Sequence, residues 1–133
     1  MDAMNEVYEF LKKYHTFYLA TVEGDQPRVR PVGAIGVFEG KLYTQSGHVK
    51  NVAKQLEANP KAEICCFGDG TWLRIACKLI EDPRIEAQEA MLEANPGLRR
   101  MYAAGDGNTQ VLRFDDVTAT CSSFTSEPRT VTF

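Results

Sequence analysis

The sequence predicts a mainly β domain, either a small antiparallel barrel or a strongly curved sheet. Stretches rich in β-branched and aromatic residues recur at short spacing, with glycine-containing turns between them. Helical periodicity is confined to short segments, one of which interrupts the run of strands. The regular alternation of strand and helix that a parallel dinucleotide-binding sheet requires is missing from the sequence, so that fold is not expected.

The first half of the chain is predicted to contain two helices and three strands. Glu39-Gly40 is a turn signal, and Asn59-Pro60 predicts the end of the second helix. The three strands are expected to form an antiparallel meander. In order, the predicted elements are a helix at 3–14, strands at 16–24, 26–38 and 41–46, and a helix at 47–59.

The second half predicts a hairpin, two helices and a final strand pair. Gly68-Asp69-Gly70 is typical of a hairpin turn, and Asp115-Asp116 is assigned to a turn as well. The expected elements are strands at 61–70 and 71–82, helices at 83–95 and 96–107, and strands at 109–116 and 117–124, followed by a polar tail. No linker or repeat is visible, which favours a single domain over residues 1–133.

Composition narrows the classes of function. The net charge is −3 and 44% of the residues are hydrophobic, so a broad basic nucleic-acid surface is not expected. No apolar run approaches the roughly 18 residues of a membrane span, and the acidic start "MDAMNEVYEF" is unlike a signal peptide. Four cysteines without C-x-x-C spacing and two histidines favour reduced thiols over a metal site. We therefore expect a cytoplasmic protein with no metal.

The stretch "PRVRPVG" carries two cations in one predicted strand. Arg28 and Arg30 are two residues apart, which places both guanidinium groups on the same face of a strand. Pro31 cannot donate to a β-ladder and favours an edge position. The pair either decorates a solvated edge or binds an anion.

A second polar cluster lies where the third predicted strand meets the second helix. Thr44, Gln45 and Ser46 end the strand, and Lys50 falls in the expected first turn of the helix. A cation is unfavourable beside the positive end of a helix dipole unless an anion is bound there. The alternative is an ordinary surface lysine.

Pairing through Glu39-Gly40 would bring these two clusters together. Arg30 would then lie near Thr44–Ser46 and the start of the helix, which is the arrangement expected of an anion site. Trp72 shares a strand face with Arg74, and it is either a pocket wall or a core residue.

The order of these segments resembles a known family. The run "FYLATVEGDQPRVRPVGAI…FEGKLYTQSGHVKNVAKQLEANPKAEICCF…TWLRIACK" is similar to the pyridoxamine 5′-phosphate oxidase-like, FMN-binding split-barrel proteins, above all their short single-domain members. The likeness extends from about Thr16 to Phe124 and consists of the Arg-x-Arg-Pro strand, the polar strand end with its lysine, and the Asn-Pro stop. The resemblance implies a six-stranded antiparallel split barrel that forms a homodimer, with FMN in clefts between the subunits.

The resemblance also implies roles for individual residues. Arg28, Arg30, Pro31 and Val32 would border the isoalloxazine ring and ribityl chain, and Lys50 with Asn51 would bind the phosphate. Polar atoms of the ring or ribityl chain would be contacted by Thr44, Gln45 and Ser46, and Trp72 of the second subunit would flank the ring.

An FMN-dependent oxidoreductase acting on a small molecule is the function that the resemblance implies first, with NAD(P)H as an electron donor. A non-enzymatic flavin-binding, electron-transfer or stress-related module is the alternative, as is a relative that binds F420 or haem. Authentic vitamin B6 oxidases bind the substrate phosphate with a basic C-terminal segment. The ending "SEPRTVTF" does not resemble it, so oxidation of pyridoxamine phosphate is not expected.

Overall fold

A computed structural model describes residues 2–133, which contain eight strands, three α-helices and one 3-10 helix. The helices are α1 (Ala3–Tyr14), α2 (Asn51–Ala58) and α3 (Ile85–Ala94), followed by the 3-10 helix Pro96–Arg100. The strands are β1 (Phe17–Glu23), β2 (Gln26–Val32), β3 (Gly36–Phe38), β4 (Lys41–Gly47), β5 (Lys61–Gly68), β6 (Thr71–Glu81), β7 (Thr109–Ser123) and β8 (Arg129–Thr132).

All eight strands belong to one antiparallel sheet. Its order is β2-β1-β5-β6-β7-β4-β3, with β8 added to β7. The predicted mainly β split-barrel class is confirmed, with eight strands where six were expected. Within residues 2–133 no ladder joins β2 to β3, so the hydrogen-bonded sheet is not closed.

The two ends of the ladder nevertheless lie close together. β2 and β3 are consecutive in the chain, and the four steps from Val32 to Gly36 can span only about 14 Å. The sheet must therefore curl until its ends face each other. Thr44 Oγ1 of β4 donates a hydrogen bond of 2.8 Å to the Ala34 carbonyl between them. We call this gap at residues 33–35 the seam.

The seam also corrects the predicted strand at 26–38. That segment forms two strands on opposite edges of the sheet, because Pro27 and Pro31 restrict β2 to an edge and β3 pairs only with β4. The meander is therefore interrupted between its second and third strands, although the predicted turn at Glu39-Gly40 does join β3 to β4.

The C-terminal strands also differ from the prediction. β7 is one continuous strand, and no turn separates its halves at Asp116, which adopts a positive φ of 51°. A shift in the β6–β7 register between Ala76 and Lys78 lets the long ladder bend without breaking. The expected polar tail contains β8.

The observed bounds of two helices also differ from the predicted bounds. The predicted helix at 47–59 starts only at Asn51, since residues 47–50 form a turn in which Lys50 N–H donates to Gly47 O. The predicted helix at 96–107 is a short 3-10 turn followed by a loop with positive-φ glycines at 105 and 107.

The core lies inside the curled sheet, with α1 packed against it. Val7 and Leu11 of α1 are buried among inward-facing strand residues such as Ile64 and Ile75. Tyr14 packs so closely on Gly68 that a Cβ there would lie 2.2 Å from the ring, so only glycine fits. Among residues 2–133, no helix has the length and apolar character needed to cross a membrane.

Candidate functional site

A cavity of about 200 Å³ opens beside the seam. It lies between the end of β2, the end of β4, the start of α2 and the segment that follows the 3-10 helix. Seven of the residues singled out in the sequence line it: Arg30, Pro31, Val32, Thr44, Gln45, Ser46 and Lys50.

A second, more open cavity of about 480 Å³ adjoins the first. Arg30, Lys50 and Val52 belong to the walls of both cavities, so the two spaces adjoin at these side chains. Arg28 and Asn51 line the second cavity only. The structure thus gathers nine of the ten predicted site residues around one bipartite space, which we call the seam site.

Arg30 is held by neutral groups. Its Nη1 donates to Leu19 O at 3.1 Å and to Thr21 Oγ1 at 2.7 Å, and its Nη2 donates to Gln55 Oε1 at 2.7 Å. Burial, and then the nearby charge of Arg28, lowers the pKa of this guanidinium below its ordinary value. Because no carboxylate within residues 2–133 forms an ion pair with Arg30, its positive charge is available to a ligand.

Lys50 contributes a second unpaired cation. It is an exposed residue at the N-cap of α2 and gives the helix no side-chain cap, and the first N–H groups of a helix have no partner within it. No ion pair to Lys50 exists in the part of the chain that the structure describes. A helix start and a cation at one place favour an anion.

Arg28 is paired within the chain. Although it shares a face with Arg30, it donates to Glu23 Oε1 across the β1–β2 hairpin at 3.2 Å and 2.8 Å. This hydrogen bond lowers the pKa of Glu23. The cation is neutralised by a neighbour that the sequence pattern did not single out.

Gln45 adds an unsatisfied polar group to the first cavity. Its side chain is only 6% exposed, yet neither Nε2 nor Oε1 has a hydrogen-bond partner among the described residues. Leaving a buried amide unpaired costs free energy, roughly 1–3 kcal/mol for such a group. Neither atom is accessible to solvent, so a ligand in the cavity would reach this donor and acceptor only once the Gln45 side chain turned toward it.

The far wall of the cavity comes from the segment after α3. Leu98, Met101 and the buried ring of Tyr102 line it. Tyr102 and Asn108 approach β4 at Gly47, where an added Cβ would lie 3.1 Å from Tyr102 Oη and from Asn108 Oδ1. A glycine at position 47 permits this close approach.

Trp72 lies outside the seam site of its own chain. Its ring is 5.0 Å from that of Phe124, centroid to centroid, on the outward face of the sheet. The prediction placed Trp72 in the site of a second subunit, and a single chain does not test that placement.

A larger cavity of about 890 Å³ lies elsewhere, beside β4, β6 and β7. Both of its arginines have partners: Arg113 is bonded to Asp115 at 2.8 Å, and Arg84 to Asp82 at 2.8 Å and Glu39 at 2.7 Å. We call it the paired-charge cavity. Size alone does not make it the better candidate, because both of its arginines are neutralised within the chain.

Comparison with known families agrees with the geometry. The family model described as pyridoxamine 5′-phosphate oxidase matches residues 3–120. The chain belongs to this family.

Solved structures extend the comparison. A NimC/NimA family protein from Clostridium acetobutylicum is 44% identical, with a TM-score of 0.93 over 98% of this chain and 95% of that one. The general stress FMN/FAD binding protein from Xanthomonas citri shares the fold at 18% identity, TM-score 0.73, over 93% and 90%. A heme binding protein from Mycobacterium smegmatis shares it at 13% identity, TM-score 0.70, over 99% of this chain and 59% of that protein. No curated protein matches the sequence.

Sequence reasoning missed several residues of the site. Thr21 and Gln55, which hold Arg30, gave a usable signal, since each is a polar residue in line with apolar core positions. Tyr102 gave no such signal in the sequence, because its position depends on a loop without periodicity.

Proposed function

We propose that this protein binds FMN at the seam site and is an oxidoreductase that uses FMN as its cofactor. The observation that carries the proposal is the pair of unpaired cations, Arg30 and Lys50, shared by two adjoining cavities. A phosphate needs such charges. The rest of the first cavity combines apolar side chains such as Val32 with polar ones such as Thr44, which suits a heterocyclic ring.

The residues of the seam site fit the parts of FMN. Lys50 and the first N–H groups of α2 would bind the phosphate, with Arg30 next to them. The unpartnered amide of Gln45 would hydrogen-bond to polar atoms of the ring. Pro31 and Val32 would border the ring, and the buried side of the cavity would keep water from it.

Membership of the family and the flavin named for the Xanthomonas citri protein support this choice of cofactor. When bound, FMN supplies hydride and single-electron transfer, so the protein need only bind, orient and tune it. Cations near the ring would favour its reduced, anionic form. NAD(P)H is the proposed electron donor and a small molecule the acceptor.

A homodimer belongs to the same proposal. The β1–β5 and β5–β6 registers place Tyr18, Phe67 and Trp72 on one outward face, where the Phe67 side chain is 62% exposed. Phe124, which packs on Trp72, is 88% exposed. A second copy would cover this apolar face and would bring Trp72 toward the neighbouring site. Light scattering of the purified protein should give twice the mass of the chain, and a monomer would contradict the interfacial cleft.

The phosphate assignment is tested by Lys50→Ala, with Lys54→Ala as the matched control on the exposed face of α2. Loss of a charged hydrogen bond should weaken FMN by about 1.5–3 kcal/mol. Riboflavin, which has no phosphate, should bind the variant as it binds the wild type. Flavin fluorescence titrations measure all three proteins, and equal FMN affinities for the two variants would contradict the assignment.

The enzymatic part of the proposal is tested separately. Stopped-flow mixing of the FMN-loaded protein with NADH or NADPH should bleach the flavin absorbance. If FMN binds and neither donor reduces it, the protein is a flavin-binding module and not an oxidoreductase of this kind.

A further inference from the structure

His48 lies in the turn that leads to Lys50, and its ring contacts two other parts of the fold. Nε2 is 2.6 Å from Glu81 Oε2 at the end of β6, and Nδ1 is 3.2 Å from Gly107 O. A carbonyl oxygen and an ionised carboxylate both accept hydrogen bonds. Both ring nitrogens must therefore carry a proton, and the geometry describes an imidazolium.

The loop that supplies Gly107 is held firmly in place. The Asp106 carboxylate accepts hydrogen bonds from the backbone N–H groups of Ala103, Asn108 and Thr109. These bonds hold the pKa of Asp106 far below its usual range. The loop therefore offers His48 a fixed acceptor.

The same loop holds the backbone of the turn. His48 N–H donates to Asn108 O at 2.8 Å, and Val49 N–H donates to Asn108 Oδ1 at 3.2 Å. The imidazole of His48 adds a hydrogen bond to Glu81 of β6. A neutral ring keeps only one N–H, so deprotonation removes one of the two ring hydrogen bonds, to Glu81 or to Gly107, together with the charge attraction to Glu81.

We propose that His48 is a positioning residue, whose imidazolium fixes the turn bearing Lys50 so that the seam site binds a phosphate more tightly when His48 is protonated. The proposal rests on the proposed function, since it concerns the phosphate side of the same site.

Together, the groups that face His48 raise its pKa. Partial burial opposes the charged ring, but the hydrogen bonds to Glu81 and Gly107 and the charges of Glu81 and Glu57 outweigh it, so the pKa of His48 is raised above 6.5. Both ring hydrogen bonds are complete below the ordinary histidine value, and one of them is lost as the pH rises through this raised pKa.

The test is a titration of FMN and of riboflavin against wild type and His48→Gln, between about pH 6 and about pH 8.5. The FMN phosphate itself ionises near pH 6, so the ratio of the two proteins' affinities is the quantity to follow. For FMN this ratio should fall by about twofold across the range, the scale expected of a partly exposed ion pair. For riboflavin it should stay constant.

Glu81→Gln supplies the second variant. The sequence has only two histidines, so the imidazole signal of His48 is identified in the NMR spectrum by its absence from His48→Gln. Glu81→Gln should lower the pKa of His48 and move the midpoint of the FMN profile by the same amount.

Two outcomes would overturn the proposal while leaving FMN binding intact: parallel FMN profiles for wild type and His48→Gln, or a Glu81→Gln profile that does not follow the pKa of His48. Failure of FMN and riboflavin to bind at any pH would overturn the proposed function and this proposal with it.

Discussion

The seam site and the paired-charge cavity both contain arginines beside buried polar groups, but their charges are arranged differently. In the paired-charge cavity, Arg84 and Arg113 are bonded to carboxylates of the same chain. In the seam site, Arg30 is bonded only to neutral oxygen atoms and Lys50 forms no ion pair within residues 2–133. The arginines of one cavity are neutralised within the chain, whereas no carboxylate of residues 2–133 neutralises Arg30 in the other.

The buried groups beneath the two cavities show the same contrast. The Tyr43 hydroxyl donates to Asp82 at 2.7 Å, and Asp82, only 3% exposed, also accepts from Arg84. These hydrogen bonds, that from Arg84 above all, hold the pKa of Asp82 well below its usual range, while burial and Asp82 raise that of Tyr43. The Gln45 amide in the seam site has no such partner. The polar groups beneath the paired-charge cavity are satisfied within the chain, whereas the Gln45 amide is not.

The largest expected effect is on stability, in the paired-charge cavity. Asp82→Ala leaves the Tyr43 hydroxyl without its acceptor and should lower the free energy of unfolding by about 2–4 kcal/mol. The control Asp116→Asn, at an exposed ion pair, should change it by less than about 1 kcal/mol. Urea denaturation measures both variants. If the folded Asp82→Ala variant binds FMN more weakly than the wild type, the paired-charge cavity and the seam site do not act independently.

Two arginines of β2 allow a sharper test within the seam site. Arg30→Ala removes an unpaired cation and should weaken FMN by about 1.5–3 kcal/mol. Arg28→Ala removes a cation already paired with Glu23 and should weaken it by less than about 1 kcal/mol. Fluorescence titration gives both values. The distinction between paired and unpaired cations fails if Arg28→Ala has the larger effect.

Gln45→Met tests the unsatisfied amide. Replacing two unpartnered buried polar atoms with an apolar side chain of similar length should raise the free energy of unfolding of the flavin-free protein by about 1 kcal/mol. The same change should weaken FMN and riboflavin alike. Thermal unfolding with and without flavin reports both quantities, and a destabilised flavin-free variant would show that the amide is not a vacant ligand group.

The smallest expected effect concerns pH and stability. The folded-state pKa of His48 is raised, so its contribution is present below about pH 6.5, the ordinary histidine value, and is lost as the pH rises through the folded value. Because the side chain is 38% exposed, solvent screening leaves only a few tenths of a kcal/mol. The difference in unfolding free energy between wild type and His48→Gln should shrink with rising pH. A difference in unfolding free energy that grows with rising pH would contradict the predicted direction of this pH dependence.

Local patterns in the sequence predicted much of this fold. The strands before and after Glu39-Gly40 and the position of α1 follow from turn chemistry and periodicity. The break at residues 33–35 could not be predicted, because it depends on β2 and β3 taking opposite edges of a sheet whose order is set by long-range pairing. Asp115-Asp116 was misread for the same reason, since only the β6–β7 register shows that the strand continues through it.

The candidate site was predictable in composition and less so in detail. Arg30 and Lys50 were identified from charge in an acidic chain, and the structure brings them together. The Glu23 partner of Arg28 required the hairpin register, and the loop around Tyr102 required the tertiary fold.

The most direct test of the central claim, that the unpaired charges of the seam site bind the phosphate of a flavin, is a paired titration of the wild-type protein with FMN and riboflavin. We predict that both bind and that FMN binds at least about tenfold more tightly, the equivalent of one charged hydrogen bond. Equal affinities, or no binding of FMN, would contradict it.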